Sequence, residues 1–424
     1  MSKNNRRVRP AKLIVFIAIF LATIAVIVFG LFSPTGSQIE PTWLGNPSRE
    51  DGQVERALNV WDLQVFEGKI YLGGGSTVTN AGPIKVWAYD PKKNKFEHEY
   101  TVKEEAIEHF RVFNNELYIP AADPRKGDFT KFYRRKKGKW QRYGSQTVKL
   151  AHVRDLIATD KQEILMVGNS RKPNKPSGRG TAIATFGKSS LKIRSAGIEN
   201  APSEKGIVLV DYNWFFSVFR YKNQIYAINT LLRDADNYQG AIARYEPASK
   251  TFELDFDLYN DEFIPDSMIE AETMQGIEVI YRLWNPVEFQ GHLVYPVRSY
   301  SVSPNSYEKA YMNTIGFFYK SDIGNSPQTL ELPKGQGEDV LIIDDELYVL
   351  ASERDRNHKF TTYVYKTDRL SEKTKWQHVV KFTDWNKARS FEYLDGTFYF
   401  GLGQDYGEGV HNSGDILSYR PQSK

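Results

Sequence analysis

Short apolar runs separated by tight polar turns recur along this chain, and one of them sets the pattern. In FEGKIYLGGG, residues 66–75, one run ends at Phe66, Glu67-Gly68 make a turn, and Ile70-Tyr71-Leu72 start a second run. Two short apolar runs joined by a two-residue turn with Gly in it predict a β-hairpin. Copies follow at 113–120 (FNNELYIP), 160–168 (DKQEILMVG), 221–228 (YKNQIYAI), 289–296 (FQGHLVYP), 343–350 (IDDELYVL) and 394–401 (LDGTFYFG). The equivalent positions Tyr71, Tyr118, Leu165, Tyr226, Val294, Tyr348 and Tyr399 are 47, 47, 61, 68, 54 and 51 residues apart. Four short strands with their turns fit such a period, so seven copies predict an all-β chain folded as a seven-bladed β-propeller.

The remainder of each repeat agrees. After the hairpin and a variable loop comes a run ending in an aromatic, such as KVWAYD (85–90), FTKFYR (129–134) or TTYVYK (361–366). A polar turn and a last strand opened by Phe96, Trp140, Leu191, Phe252, Leu330 or Trp376 follow. The seventh repeat stops at Pro421 without that strand, and Thr42-Trp43-Leu44 has the character to replace it. A strand from the N-terminal side would remove the open edge of the last blade.

The first repeat, with an apolar run, Gly73-Gly74, then Tyr89 and the bulky Phe96 seven residues on, resembles a kelch repeat. The resemblance spans roughly 43–421, with the diglycine confined to the first repeat. It too implies a β-propeller.

Residues 13–32, LIVFIAIFLATIAVIVFGLF, carry no charge and follow Lys3, Arg6, Arg7, Arg9 and Lys12. Twenty residues span about 30 Å as a helix, enough to cross a bilayer. The sequence therefore predicts a single N-terminal transmembrane helix ahead of the propeller, with a basic cytoplasmic tail (1–12) and everything after Phe32 extracytoplasmic. A cleaved signal peptide is the rival, disfavoured because the apolar run exceeds about 15 residues and no A-x-A-like site ends it. Residues 33–60 read as a polar spacer containing the possible closing strand, and 61–424 as the propeller.

There is no cysteine, so no lipoprotein anchor, and for an exported chain of 424 residues this points to a bacterial or archaeal envelope. The net charge of +4 comes from the five tail cations. The balance beyond them leaves no footprint for nucleic acid.

No nucleophile elbow, phosphate loop, dinucleotide fingerprint or zinc-helix motif is present, and the seven histidines have no ligand spacing. No metal, cofactor or catalytic residue is assigned. Asp234-Ala235-Asp236-Asn237 reads as a turn rather than a calcium loop. The acidic stretch 261–280 reads as an excursion with a short helix begun by Asp266, and 195–212 as a second excursion. Basic loop residues Arg125, Lys126, Arg171, Lys172, Lys175, Arg179, Arg354 and Arg356 fall after the second strands.

Counting nine and ten residues back from each repeat position reaches the start of the innermost strand, at one mouth of the channel. Those pairs are Trp61-Asp62, Glu108-His109, Asp155-Leu156, Phe216-Ser217, Trp284-Asn285, Glu338-Asp339 and Arg389-Ser390, with Arg154 and Trp214 close by. Trp61, His109, Arg154, Trp214, Trp284 and Arg389 are the candidate ligand-binding ring. Indoles stack on the apolar face of a sugar, and Arg and His satisfy its polar groups, although aromatics also simply plug a channel. The expectation is a membrane-anchored extracytoplasmic binding or scaffolding module whose partner is a glycan or an envelope protein. The alternative is a hydrolase or lyase acting on polysaccharide through Asp62, Glu108, Glu338 or Asp339.

Overall fold

The computed structural model describes residues 38–76, 82–122, 130–145, 147–148, 150–170, 181–187, 191–196, 198–199, 215–229, 242–255, 263–265, 278–303, 306–403 and 412–422. The transmembrane span at 13–32, the 234–237 turn, nearly all of both excursions, Trp214 and the basic loop residues Arg125, Lys126, Arg171, Lys172, Lys175 and Arg179 lie outside them. Among the described residues no helix is long and apolar enough to cross a membrane.

Seven sheets, antiparallel except for one short strand of the fourth, follow one another along the chain, making a seven-bladed β-propeller. The first strands of the blades are Val60–Phe66, Arg111–Phe113, Leu150–Ala158, Phe215–Tyr221, Glu278–Leu283 with Val287–Phe289, Gln336–Ile343 and Lys387–Leu394. In six blades the turn after the first strand holds two residues at positive φ: Glu67-Gly68, Asn114-Asn115, Lys222-Asn223, Gln290-Gly291, Asp344-Asp345 and Asp395-Gly396. Such turns twist in the sense of the flanking strands, which is why Gly, Asn and Asp recur in the hairpin copies.

Alternation along the strands gives each blade two apolar faces, and each packs on a neighbour. One core joins blades 1 and 2 (Phe66, Tyr71, Phe110, Leu117), another blades 3 and 4 (Leu165, Ile183, Phe215, Ala227). The ring closes through Val60, Leu63, Tyr399 and Ile416, between blades 7 and 1. Gly73 and Gly74 let blade 1 approach the segment leading to blade 2, where Ile107 N donates to the Gly74 carbonyl at 2.7 Å. At Gly75, φ is +102°, and an added Cβ would collide with the Glu105 carbonyl.

The seventh sheet takes its outer strand from the N-terminal side. Thr42–Gly45 pairs antiparallel with Ile416–Tyr419, with Trp43 opposite Leu417. Trp43 Nε1 donates to Asp415 Oδ2 at 3.0 Å, and Asn46 Nδ2 to Asp415 Oδ1 at 2.7 Å. Besides this closing strand, the 33–60 spacer holds a helical turn (Pro47–Glu50) and a 3-10 turn (Glu55–Ala57).

Other local expectations shift. The third strand of blade 2 is Phe132–Lys136, not 129–134, because it runs on to the tight turn at Lys137-Gly138 that leads into the last strand. Blade 4 gains Ile198–Glu199, parallel to its outer strand, from a stretch read as an excursion. In blade 5 the two middle strands extend to His292–Ser303 and Ser306–Lys320, while the last is only Gln328–Thr329.

Candidate functional site

At the start of the innermost strands the same irregularity recurs. The ladder skips one residue between Val60 and Asp62, Val153 and Asp155, Phe215 and Ser217, Gly337 and Asp339, and Ala388 and Ser390. The bulged residues are Trp61, Arg154, Phe216, Glu338 and Arg389. A β-bulge re-aims the extra side chain, here out of the alternation that fills the cores between blades. In blade 5 the strand is interrupted instead, with Trp284 and Asn285 in the gap and Asn285 at φ +42°. Sequence counting reached these positions but not the bulge that orients them.

The side chains so placed form one continuous network with members from every blade. Trp284 lies between two partners: the His109 ring at 4.0 Å between centroids, and the Arg298 guanidinium carbon 3.8 Å from its own ring centroid. Arg298 Nη2 donates to the Glu338 and Arg389 carbonyls at 3.0 and 3.1 Å. Arg389 lies over Trp61 at 4.3 Å, and Trp61 Nε1 donates to the Gly75 carbonyl. Arg282 Nη2 donates to Glu108 Oε2 at 2.9 Å, with Arg154 at 3.7 Å on the other oxygen, and both guanidiniums lie over Phe216. Lys387 pairs with Glu338 at 2.9 Å, and Thr314 and Ser352 donate to the same carboxylate.

Five of the six predicted ring residues therefore meet, and Trp214 lies outside the described residues. Trp61, Trp284 and Arg389 are at most 1% exposed, so the ring is packed shut rather than lining an open funnel. The buried indole N–H of Trp284 and Nδ1 of His109 have no hydrogen-bond partner among the described residues.

Arg282, Arg298 and Lys387 were not found from the sequence. Arg282 and Arg298 stand directly opposite each other in the blade 5 ladder, at 4% and 1% exposure. A facing pair of like charges is destabilising in itself. Among the described residues the network gathers five cations (Arg154, Arg282, Arg298, Lys387, Arg389) around two carboxylates (Glu108, Glu338).

Those two carboxylates are held ionised. Burial pushes the Glu338 carboxyl up, but Lys387, Arg298 and Arg389 more than reverse this and bring it to about 2. Burial acts likewise on Glu108, and Arg282 and Arg154 hold it below its ordinary value. Burial, then the charges of Arg111, Arg282 and Arg298, push His109 well below its usual range, so its ring is neutral.

One step along the strands a second layer crosses the channel. Arg111 grips Asp155 with Nε and Nη2 at 2.9 and 3.3 Å, and its Nη1 donates to Asn285 Oδ1 at 3.0 Å. Asn285 Nδ2 donates to Asp339 Oδ1 at 3.2 Å and reaches Asp62 Oδ1 at 3.5 Å. The same acids tie blade to blade: Asp62 accepts from Phe110 N, Asp155 from Val218 N, and Asp339 from Phe391 N and Ser390 Oγ. The innermost strands would otherwise present an unpaired edge to the channel. Burial and the Asp339 charge raise Asp62 to about 7. Burial also raises Asp339, and burial with the Asp62 and Asp339 charges raises Glu392 to about 8. These three line a cavity of about 340 Å³ with Arg111, Arg220 and Asn285. Among the described residues no group of His, Asp and Glu is arranged to hold a metal.

No family model matches the chain, and no curated protein matches it in sequence. Solved structures do match in fold. A PL25 ulvan lyase is 8% identical, with a TM-score of 0.50 over 90% of this chain and 96% of that one. YCF48 bound to a D1 peptide is 12% identical, with a TM-score of 0.44 over 90% of this chain and 97% of that one. The β-propeller domain of the Trilobed protease from Pyrococcus furiosus is 10% identical, with a TM-score of 0.41 over 85% and 97%. At such identities the likeness is one of fold alone.

Proposed function

We propose that this protein is a membrane-anchored, extracytoplasmic propeller that binds an acidic glycan at the cationic mouth of its channel. The observation that carries this is the facing pair Arg282 and Arg298, buried beside Trp284, whose indole N–H has no hydrogen-bond partner among the described residues. Two guanidiniums facing each other in a buried ladder repel, and an anionic group brought beside them is favoured. Because the ring is packed shut, binding requires it to open; a uronate or sulfated sugar then supplies the anion, acceptors for the indole and imidazole, and an apolar face for the rings. The ulvan lyase has also been solved with -[GlcA(1-4)Rha3S]- bound, so a propeller of similar length accommodates such a chain. The anchor rests on the uncharged run 13–32 and its five flanking cations. Kelch-like kinship of the repeats rests on Gly73-Gly74 and Tyr89.

Binding is measured on the full chain in nanodiscs, against uronate-rich, sulfated and neutral polysaccharides. Acidic chains are expected to bind and neutral ones not. Stacking on an indole is worth about 1 kcal/mol, so Trp284→Ala should weaken binding roughly fivefold. Arg298→Met should weaken it more. Both variants must first melt like the parent. Equal binding of neutral chains, or unchanged affinity in both folded variants, refutes the reading.

The second reading, a polysaccharide-active enzyme, has one observation in its favour. Asp62 and Asp339 share Asn285 beside the cavity, and both hold protons above the ordinary carboxylate range. New reducing ends or unsaturated uronate products, lost in Asp62→Asn, would establish it. Glu108 and Glu338 suit general-acid work poorly, being held ionised by their cations.

Orientation has its own test. Protease added to spheroplasts is expected to remove the propeller and spare the tail. Protection of the bulk of the chain would reverse the assigned topology.

A further inference from the structure

Three observations converge on the outer edge of blades 6 and 7. First, the N-terminal segment arrives there: Ile39 N donates to the Lys381 carbonyl on the outer strand of blade 6 at 2.8 Å, before Thr42–Gly45 pairs into blade 7. Second, only five residues lie between Phe32, the end of the uncharged run, and Gln38, which makes six Cα–Cα steps. At most about 3.6 Å per residue, that stretch reaches roughly 20 Å. Packed sheets lie about 10 Å apart, so the reach covers about two blades and not the ring. Third, this edge carries the two exposed tryptophans among the described residues, Trp43 at 58% and Trp385 at 46%.

The two indoles belong to one patch. Leu44 packs into the core between blades 7 and 1, while Ile39 packs into the one between blades 6 and 7. Trp43 stands directly opposite Leu417, which packs in the core between blades 6 and 7, so it projects from that face, toward blade 6. Its partner Asp415 is an electrostatic neighbour of Asp384, whose Oδ1 accepts from Trp385 N and Asn412 Nδ2. Lys359 Nζ lies 4.7 Å from the Trp385 ring centroid, and the exposed Arg354 and Arg356 are on the same turn. The acids on that turn are Glu353 and Asp355, and Asp355 accepts from the Asn357 and Lys359 amides.

We propose that this edge rests on the bilayer, with Trp43 and Trp385 at headgroup depth and Lys359, Arg354 and Arg356 toward lipid phosphates. Exposed tryptophan beside Arg and Lys, within reach of a membrane span, is the composition of an interfacial contact. The proposal rests on the anchor reading of 13–32. It adds that the propeller is held edge-on rather than tumbling on a tether.

The chain has no cysteine, so single labels are selective. Asn357→Cys places a fluorophore at this edge. Asp160→Cys places one on blade 3, where the Asp160 side chain is 86% exposed. The full chain goes into nanodiscs carrying a headgroup nitroxide lipid. The label at 357 is expected to be quenched at least threefold more than that at 160, and Trp385→Ala to remove most of the difference. Melting of each variant is compared with the parent, since Trp43 also braces the closing strand and is left intact. A chain retained in nanodiscs with equal quenching at both sites overturns the docking alone. A chain not retained overturns the anchor and the docking together. Shielding of the 357 label by soluble envelope proteins without lipid quenching assigns the patch to a protein partner and also overturns the proposal.

Discussion

Between about pH 6.5 and about pH 8.5 the melting temperature of this protein is expected to fall, and the cause sits in the channel. Asp62 titrates near 7 in the fold instead of 3.8, and Glu392 near 8 instead of 4.5. Burial is the main cause for both, reinforced by the Asp339 charge and, for Glu392, by Asp62. A carboxyl whose folded value is raised binds more protons folded than unfolded, so stability declines as pH rises. The contribution is fully present below the unfolded values and is lost as pH passes through the folded ones. Each unit is worth about 1.4 kcal/mol, so the loss across this window is on the order of 2 kcal/mol. His109, pushed well below 6.5, acts in the opposite sense, but only below its ordinary value. Glu338 and Glu116, each lowered to about 2, keep their stabilisation until the pH drops below about 4.5. Thermal melts across the pH range check this, with the double variant Asp62→Asn, Glu392→Gln expected to flatten the decline. A parent whose melting temperature is level or rising over the window would sink the explanation.

Removing residues 38–45 is expected to cost on the order of 3–5 kcal/mol and to make the protein prone to aggregation. The deletion strips the strand pairing on Ile416–Tyr419, the Trp43 bond to Asp415 and the packing of Leu44 between blades 7 and 1. It leaves an open edge on the last blade, which is a template for another chain. Asn46→Ala is the milder counterpart. It removes donations to Ser413 O and Asp415 Oδ1 at 2.8 and 2.7 Å and should cost about 1–3 kcal/mol, because both acceptors stay buried. Calorimetry and light scattering on both variants are decisive: a deletion that melts like the parent would mean the strand is dispensable for closure. Asn46→Ala separates this from any effect on membrane tethering, because it leaves 1–45 intact.

How much of this was readable from the chain depends on how local the determining physics is. The hairpins were legible because turns with two residues at positive φ favour Gly, Asn or Asp, and the second turn position holds one of them in all six. The closing strand was legible by subtraction, since a seventh repeat without a last strand requires one from elsewhere. The mouth positions were legible by register: counting ten residues back lands on Trp61, Glu338 and Arg389, which share one structural position, and stops one residue short of Arg154, which shares it too.

What the sequence by itself determined, then, is the repeat, its seven copies and the ring positions, all set by turn chemistry and alternation acting over fewer than ten residues. Only the tertiary structure decided what those positions do. The bulges turn Trp61, Arg154, Glu338 and Arg389 out of the alternation, and no residue type announces a bulge. Arg282 and Arg298 face each other because of a ladder pairing sixteen residues apart in sequence. Asp62, Asn285 and Asp339 meet from blades 1, 5 and 6, and their shared burial, not their identity, raises the acids. A carboxyl's charge state is set by the dielectric and the charges around it, and in a closed ring those come from blades hundreds of residues away.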